Sequence, residues 1–308
     1  MSHSLRITAP ATVSNVGPGF DLMGFALDEP NDILQVKRNN LNSIRIINES
    51  EANIPIDPAK NVSSVAIQSL LNKFQIKDGF DLIFEKKINP GSGIGSSASS
   101  CTAAVFGVNK LLGDLETKEN LIEHALAGEF IASGSLHADN IAPAMLGGFI
   151  LIRSYDPIDI VKLAYPKNLV CTLVHPDLII KTTESRKLIP NNISLQTSIS
   201  QSGNIAALVA GLNTNDYALI GRSLNDYIAE PHRSKYIPGY SILKKRLKDC
   251  GVLGMNISGS GPSVFALSDN LETAKKAALV MKETFIEKDI QSTSYISGIS
   301  ELGTRVLD

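Results

Sequence analysis

The sequence predicts an α+β protein of two domains, and three observations carry that expectation. The chain has 308 residues, past the roughly 250–300 at which one hydrophobic core stops growing. Apolar residues make up 43% and charged residues 19%, which suits packed cores and excludes a disordered chain. Runs with strand-like alternation and runs with helical spacing occur in both halves.

The elements follow in order. Residues 5–8 (LRIT), 32–38 (DILQVKR), 43–48 (SIRIIN) and 80–87 (FDLIFEKK) read as strands. Between the last two, residues 61–74 place Val62, Val65, Ala66, Ser69 and Leu70 on one helical face, with Asn61 as N-cap. Helices are expected near 96–112 and 118–133, then a strand at 147–154. Residues 157–168 (PIDIVKLAYPKN) read as a connection. The domains are accordingly placed at 1–155 and 156–308. In the second half, 169–176 (LVCTLVHP) reads as a strand, 201–228 and 238–249 as helical, and 252–257 and 264–267 as strands about a glycine-rich turn. A helix at 270–287, with Leu271, Ala274, Ala278, Met281 and Phe285 on one stripe, and a strand at 291–297 complete a βαββαβ-like order. That order predicts a ferredoxin-like C-terminal domain.

Several functions are disfavoured at this level. A net charge of −2 leaves no basic footprint for nucleic acid. No apolar run approaches the ~18 residues of a membrane span, and the N-terminal MSHSLRITAP lacks the basic and apolar segments of a secretory signal. A cytoplasmic protein without nucleic-acid or membrane partners is expected. Cys101, Cys171 and Cys250 are odd in number and widely spaced, so buried reduced thiols are expected.

Chemistry concentrates in three Gly/Ser-rich segments. The central one, INPGSGIGSSASSCTAA at 88–104, joins a strand to a helix. Gly91, Gly93 and Gly95 permit positive φ and close backbone approach. Ser96 and Ser97 open a helix whose first amides lack internal partners, and that forms an anion site. It is neither a Walker loop, having no Gly-Lys pair, nor a GxGxxG fingerprint, having Ser96 at the third position. The first segment, APATVSNVGPGFDLMGFAL at 9–27, sets Asn15 and Asp21 in apolar surroundings, where polar groups need partners. The third is GMNISGSGPSVFAL at 254–267.

Together the three segments resemble the GHMP kinases, small-molecule kinases whose phosphate loop reads PxxxGLGSSA and carries no Walker lysine. Ile94 stands where that family usually has Leu, and Asn89 where Pro is frequent. The resemblance runs from about residue 5 to 267. It implies a ribosomal-S5-like N-terminal domain before the ferredoxin-like one. It also implies ATP and Mg²⁺ as cofactors, with Asn61, Pro90, Gly91, Ser92, Gly93, Ile94, Gly95, Ser96 and Ser97 on the nucleotide. Ser97 and Glu129 are the implied metal ligands, and SGSGPS at 258–263 is expected to support the loop.

Within the family, GSLHADNIAPAMLGGF at 134–149, TTESRKLIP at 182–190 and IAEPHRSKYIPGY at 228–240 are most similar to the members that act on homoserine. The implied reaction is ATP-dependent phosphorylation of L-homoserine to O-phospho-L-homoserine, in threonine biosynthesis. The alternatives are another GHMP kinase, for mevalonate or a sugar, or a non-enzymatic nucleotide-binding relative. Homoserine is a zwitterion with a free hydroxyl, so its site needs a cation, an anion and a polar group. Arg186 and Arg233 suit the carboxylate, Asp21 the ammonium and Asn15 the hydroxyl, with His137 also on the substrate side. Asp139 is the candidate base. The resemblance favours a route in which Asn15 and Asn140 orient the hydroxyl and its proton passes directly to the γ-phosphate. It also admits a homodimer.

Overall fold

The computed structural model describes residues 3–180 and 182–307; Met1 and Ser2 of the N-terminal stretch lie outside them. The N-terminal half opens with β1 (Ser4–Ser14), β2 (Met23–Asn39) and β3 (Ile44–Asn48), followed by α1 (Val62–Lys73) and β4 (Gly79–Lys86). Then come α2 (Ser96–Leu111), α3 (Lys118–Ser133), α4 (Ala138–Leu146), β5 (Phe149–Tyr155) and β6 (Ile158–Leu163). Asn61 caps α1 as its sequence position suggests, its side chain accepting from the Ser63 amide at 3.0 Å.

These strands form one sheet in the order β11-β1-β2-β4-β3, where β11 is Arg305–Val306 from the chain end. Among the described residues only β3 and β4 run parallel, and α1 makes their crossover. The 17-residue β2 is shared: its second half pairs with β4 and its first residues, Met23–Phe25, pair with β5. The larger core, with Leu34, Val36, Phe80, Ala104 and Ile141, lies between this sheet and α1–α4.

The expected connection at 157–168 is corrected. Ile158–Leu163 is a strand, β6, paired antiparallel with β5. Its alternation is weak because both faces stay half-exposed, and Pro157 in the turn masked its start. A division at 155/156 therefore falls inside a hairpin, and the chain leaves the larger sheet after Leu163.

The second half comprises β7 (Val170–Pro176), α5 (Thr182–Lys187), α6 (Leu195–Thr214), α7 (Tyr217–Ser223), α8 (Glu230–Arg233) and a 3₁₀ turn at Ser234–Tyr236. It continues through α9 (Tyr240–Asp249), β8 (Gly254–Ile257), β9 (Val264–Ser268), α10 (Leu271–Ile286) and β10 (Ser292–Gly298). The single helical stretch expected at 201–228 is two helices. Asn215, with φ +56°, ends α6, and Asp216 caps α7. The four strands pair antiparallel in the order β10-β7-β9-β8, the ferredoxin-like arrangement expected. A core joins the halves: Val13, Met23, Phe25 and Phe149 of the first pack with Cys171, Leu173, Phe265 and Leu267 of the second. The site lies beside that junction.

Candidate active site

A cavity of about 440 Å³ runs between the halves, within the range of small-molecule sites. It is lined from both sequence halves. Ser14, Asn15 and Asp21 come from the β1–β2 loop and the end of β1, and Pro90, Gly91, Gly93, Gly95, Ser96 and Ser97 from the loop before α2. Glu129 comes from α3, His137, Asp139 and Asn140 from the start of α4, and Arg186, Arg233 and Gly259 from the second half. Every predicted site residue lines it except Ser92 and Ile94, which are buried in protein. Ile94 belongs to the core that joins the halves, and only its carbonyl is engaged near the site, accepting from the Thr12 amide at 3.1 Å.

The glycine loop is built as its sequence requires. Gly91, Gly93 and Gly95 all have φ between +73° and +77°, a region costly for other residues. Gly95 is the N-cap of α2 and offers no side chain to its amides, so these remain for an anion. The third segment holds the loop from behind. The Ser258 hydroxyl donates to the Gly93 carbonyl at 2.7 Å, and the Ser263 hydroxyl donates to the Ser92 carbonyl. Two loop carbonyls are thus turned toward the C-terminal half.

The serines divide the work differently from the expectation. The Ser96 hydroxyl is spent inward, donating to the Ile88 carbonyl at 2.7 Å and meeting the Lys87 ammonium. Lys87 and Asp32, which sequence reading passed over, form a buried ion pair at 3.1 Å beneath the loop. Asp32 accepts from the Ile88 amide at 2.7 Å and from Ser100 at 3.2 Å, while Lys87 donates to the Ile88 and Ser96 carbonyls at 2.9 and 2.8 Å. The pair therefore ties both ends of the loop. Burial pushes Asp32 up and Lys87 down, each against the other's attraction. Nothing in the local pattern near either residue signals the pairing.

At the end of the cavity beside α1 the wall is largely apolar, with Ile54, Pro55, Val62, Phe84 and Ile131. Asn61 lies there with its amide held at both ends, accepting from Ser63 and donating to the Pro55 carbonyl at 2.7 Å. It thus caps α1 and also lines the cavity.

At the other end charges converge. The Asp21 carboxylate is bonded by Arg186 and lies 3.5 Å from His137 Nδ1. Burial pushes the Asp21 carboxyl up, but His137 and Arg186 together outweigh burial and hold it below the ordinary carboxylate value. For His137 burial pulls downward, and Asp21 with Asp139 and Glu129 more than offsets it, raising the imidazole above 6.5. Arg233 is only 5% exposed and donates to the Gly259 carbonyl at 2.9 Å. Asn15, with φ +56°, donates to the same carbonyl at 2.8 Å and accepts from the Asp21 amide at 2.8 Å. Tyr155, also unforeseen, donates to the Asp21 carbonyl at 2.7 Å. Asp21 itself has φ +57°, so its backbone is gripped on both sides.

Between the two ends stand Asp139 and Asn140. Asn140 is anchored, accepting from the Thr12 hydroxyl at 2.7 Å and donating to Ser14 at 2.8 Å. Asp139 is 1% exposed. Its Oδ2 accepts from the Asn15 amide at 3.3 Å, and among the described residues its Oδ1 has no hydrogen-bond partner. Burial, opposed by His137, lifts its carboxyl to about 6. Glu129 is buried beside Ser97, and burial, opposed by that hydroxyl, lifts it to about 7.

Comparison with known proteins places this geometry. The GHMP kinase N-terminal domain model matches residues 61–148, and the C-terminal model matches residues 205–287. The chain belongs to the GHMP kinase family. A homoserine kinase of Chlorobium phaeobacteroides is 43% identical, over 99% of this chain and 99% of its own length. One of Chloroherpeton thalassium is 44% identical over 97% and 98%. The crystal structure of a homoserine kinase from Cytophaga hutchinsonii superposes with a TM-score of 0.95 at 44% identity, covering 100% of this chain and 98% of that one. The chain is thus a kinase of this family, and its cavity is lined by the lysine-free glycine loop. Among the described residues no helix is long and apolar enough to cross a membrane.

Proposed function

We propose that the kinase transfers the γ-phosphoryl group of ATP to the side-chain hydroxyl of L-homoserine, yielding O-phospho-L-homoserine in the threonine branch of amino-acid biosynthesis. The observation that carries this reading is the charge set around Asp21. One carboxylate, two arginines and a histidine face the phosphate loop across a single cavity. A zwitterion fits that set and a neutral sugar does not. Relatives at 43–44% identity named homoserine kinase support it.

In this reading Arg186 and Arg233 hold the substrate carboxylate. Asp21 exchanges its present partners for the ammonium, and Asn15 keeps the β1–β2 loop in place. The phosphates lie on the amides at the start of α2, with their charge toward the helix dipole. The homoserine oxygen attacks the γ-phosphorus, the bond to the β–γ bridging oxygen breaks, and ADP leaves. The amides of Asn15 and Asn140 already make bonds at both ends. Asp139 Oδ1 is buried, without a hydrogen-bond partner among the described residues, and its carboxyl is lifted to about 6. It is therefore the better-supported acceptor for the hydroxyl proton, ahead of direct passage to the phosphate.

Mg²⁺ needs one or two protein oxygens and takes its other ligands from water and phosphates. That fits this site, which among the described residues has no cluster of three acidic, His or Cys ligands but does have Ser97 beside buried Glu129. A bound Mg²⁺ would neutralise charge on the β- and γ-phosphate oxygens.

ADP release with MgATP and a panel of L-homoserine, L-threonine, L-serine, mevalonate and galactose tests the reading. Turnover is expected with L-homoserine; turnover with mevalonate or galactose in its place would refute it. Asp139→Asn separates the proton routes. A kcat loss of about 10²–10⁴-fold at unchanged KM marks a general base, and retained turnover marks direct passage to the phosphate.

A further inference from the structure

Arg186 and Arg233 converge on one cavity although like charges repel, and Arg186 there opposes the charged state of Arg233. Asp21 balances them only until the substrate ammonium claims it. A second feature then matters. The Arg186 guanidinium carbon lies 5.1 Å from the centroid of the Phe20 ring, and that of Arg233 lies 5.2 Å from the same ring. Both distances fall inside the ~6 Å reach of a cation–π contact. Phe20 is half-buried and is not among the side chains that line the cavity.

We propose that Phe20 is a positioning residue for the amino-acid substrate, its ring carrying both guanidinium groups so that they meet one carboxylate together. The inference rests on the homoserine reading of the site. The negative ring face attracts each cation and offsets part of their mutual repulsion. It does so without offering a carboxylate that would compete with the substrate for them. The neighbouring Asp21, here bonded to Arg186 and beside His137, is the acceptor for the ammonium in that reading. Consecutive residues thereby serve the two charges of the zwitterion, Asp21 directly and Phe20 through the arginines. An aliphatic residue at position 20 would fill space but present no quadrupole.

The test replaces Phe20 with mono-, di- and trifluorinated phenylalanine, which keep the ring's shape and progressively weaken its negative face. KM for L-homoserine should rise stepwise, about tenfold across the series, with kcat and KM for ATP within twofold of the parent. Phe20→Tyr should stay near the parent value, and Phe20→Leu should raise KM for L-homoserine tenfold or more. A flat fluorination series, or KM for ATP rising in parallel, overturns the inference. Arg186→Ala and Arg233→Ala keep the two levels apart. If either leaves KM for L-homoserine unchanged, the clamp fails and Phe20's role fails with it. If both raise it at least tenfold while the fluorinated series stays flat, only the role of Phe20 is refuted.

Discussion

Replacing Lys87 with methionine tests whether the phosphate loop is pre-formed by the ion pair beneath it. The Lys87 side chain is 3% exposed and that of Asp32 is fully buried. The substitution removes bonds to Asp32, to two loop-end carbonyls and to the Ser96 hydroxyl. Asp32 keeps the Ile88 amide and Ser100 but loses its counter-charge. Stranding one partner of a buried pair costs about 3–5 kcal/mol, a large share of the ~5–15 kcal/mol that holds a domain folded. Urea unfolding should show that loss as a lower midpoint at constant slope. Adding Asp32→Asn keeps an acceptor for the Ile88 amide and removes the stranded charge, so the double variant should recover more than half. The sign with pH follows. Without Lys87, burial is opposed only by the Ile88 amide and Ser100 and holds the folded pKa of Asp32 further above the unfolded value. The penalty is therefore present above that pKa and relieved as pH falls through it, so Lys87→Met should lose less at pH 5 than at pH 8. KM for ATP should rise at least tenfold, because both loop ends lose their tether. A Lys87→Met protein within about 1 kcal/mol of the parent, the range of an exposed pair, and with unchanged KM for ATP would refute the reasoning.

Other expectations are simpler to read. The His137 pKa is raised above 6.5, so rising pH discharges His137 and releases Asp21 to the ammonium. KM for L-homoserine should fall as pH rises through that pKa, and His137→Gln should flatten the profile; a pH-independent KM in the parent counts against the competition. Glu129→Gln should raise the Mg²⁺ concentration needed for half-activity by about tenfold or more with little change in KM for L-homoserine, as metal titration of initial rates would show. In Gly93→Ala the new Cβ would sit 2.8 Å from the Gly261 carbonyl oxygen, at a φ of +74°. The left-handed backbone alone costs roughly 1–2 kcal/mol, and KM for ATP should rise; parent-like values for both would show that the loop relaxes freely.

What sequence alone conveyed was local. Three positive-φ glycines before an uncapped helix, Asn61 before an apolar run, and the order of the last four strands are short-range patterns, and each is realised. What it missed is long-range or self-contradictory. Helix α4 places Asp139 and Asn140, yet Pro143 inside it removes one backbone donor and argues against a helix. The tethers Asp32–Lys87, Ser258–Gly93 and Ser263–Ser92 join positions 55, 165 and 171 residues apart, beyond any periodicity. The glycine loop shows the limit most sharply. Its residue types identify an anion cradle, but of its serines Ser96 bonds back to the loop stem and Ser92 is buried, leaving Ser97 at the cavity beside Glu129. Direction, not composition, decides which hydroxyl meets a ligand, and direction is imposed here by the other half of the chain. Ser258 and Ser263 claim the loop's carbonyls from the turn between β8 and β9, so its amides are left to face the cavity. A glycine loop without a lysine is thus completed by a turn more than 150 residues away, which makes the junction between the halves part of the cavity's wall.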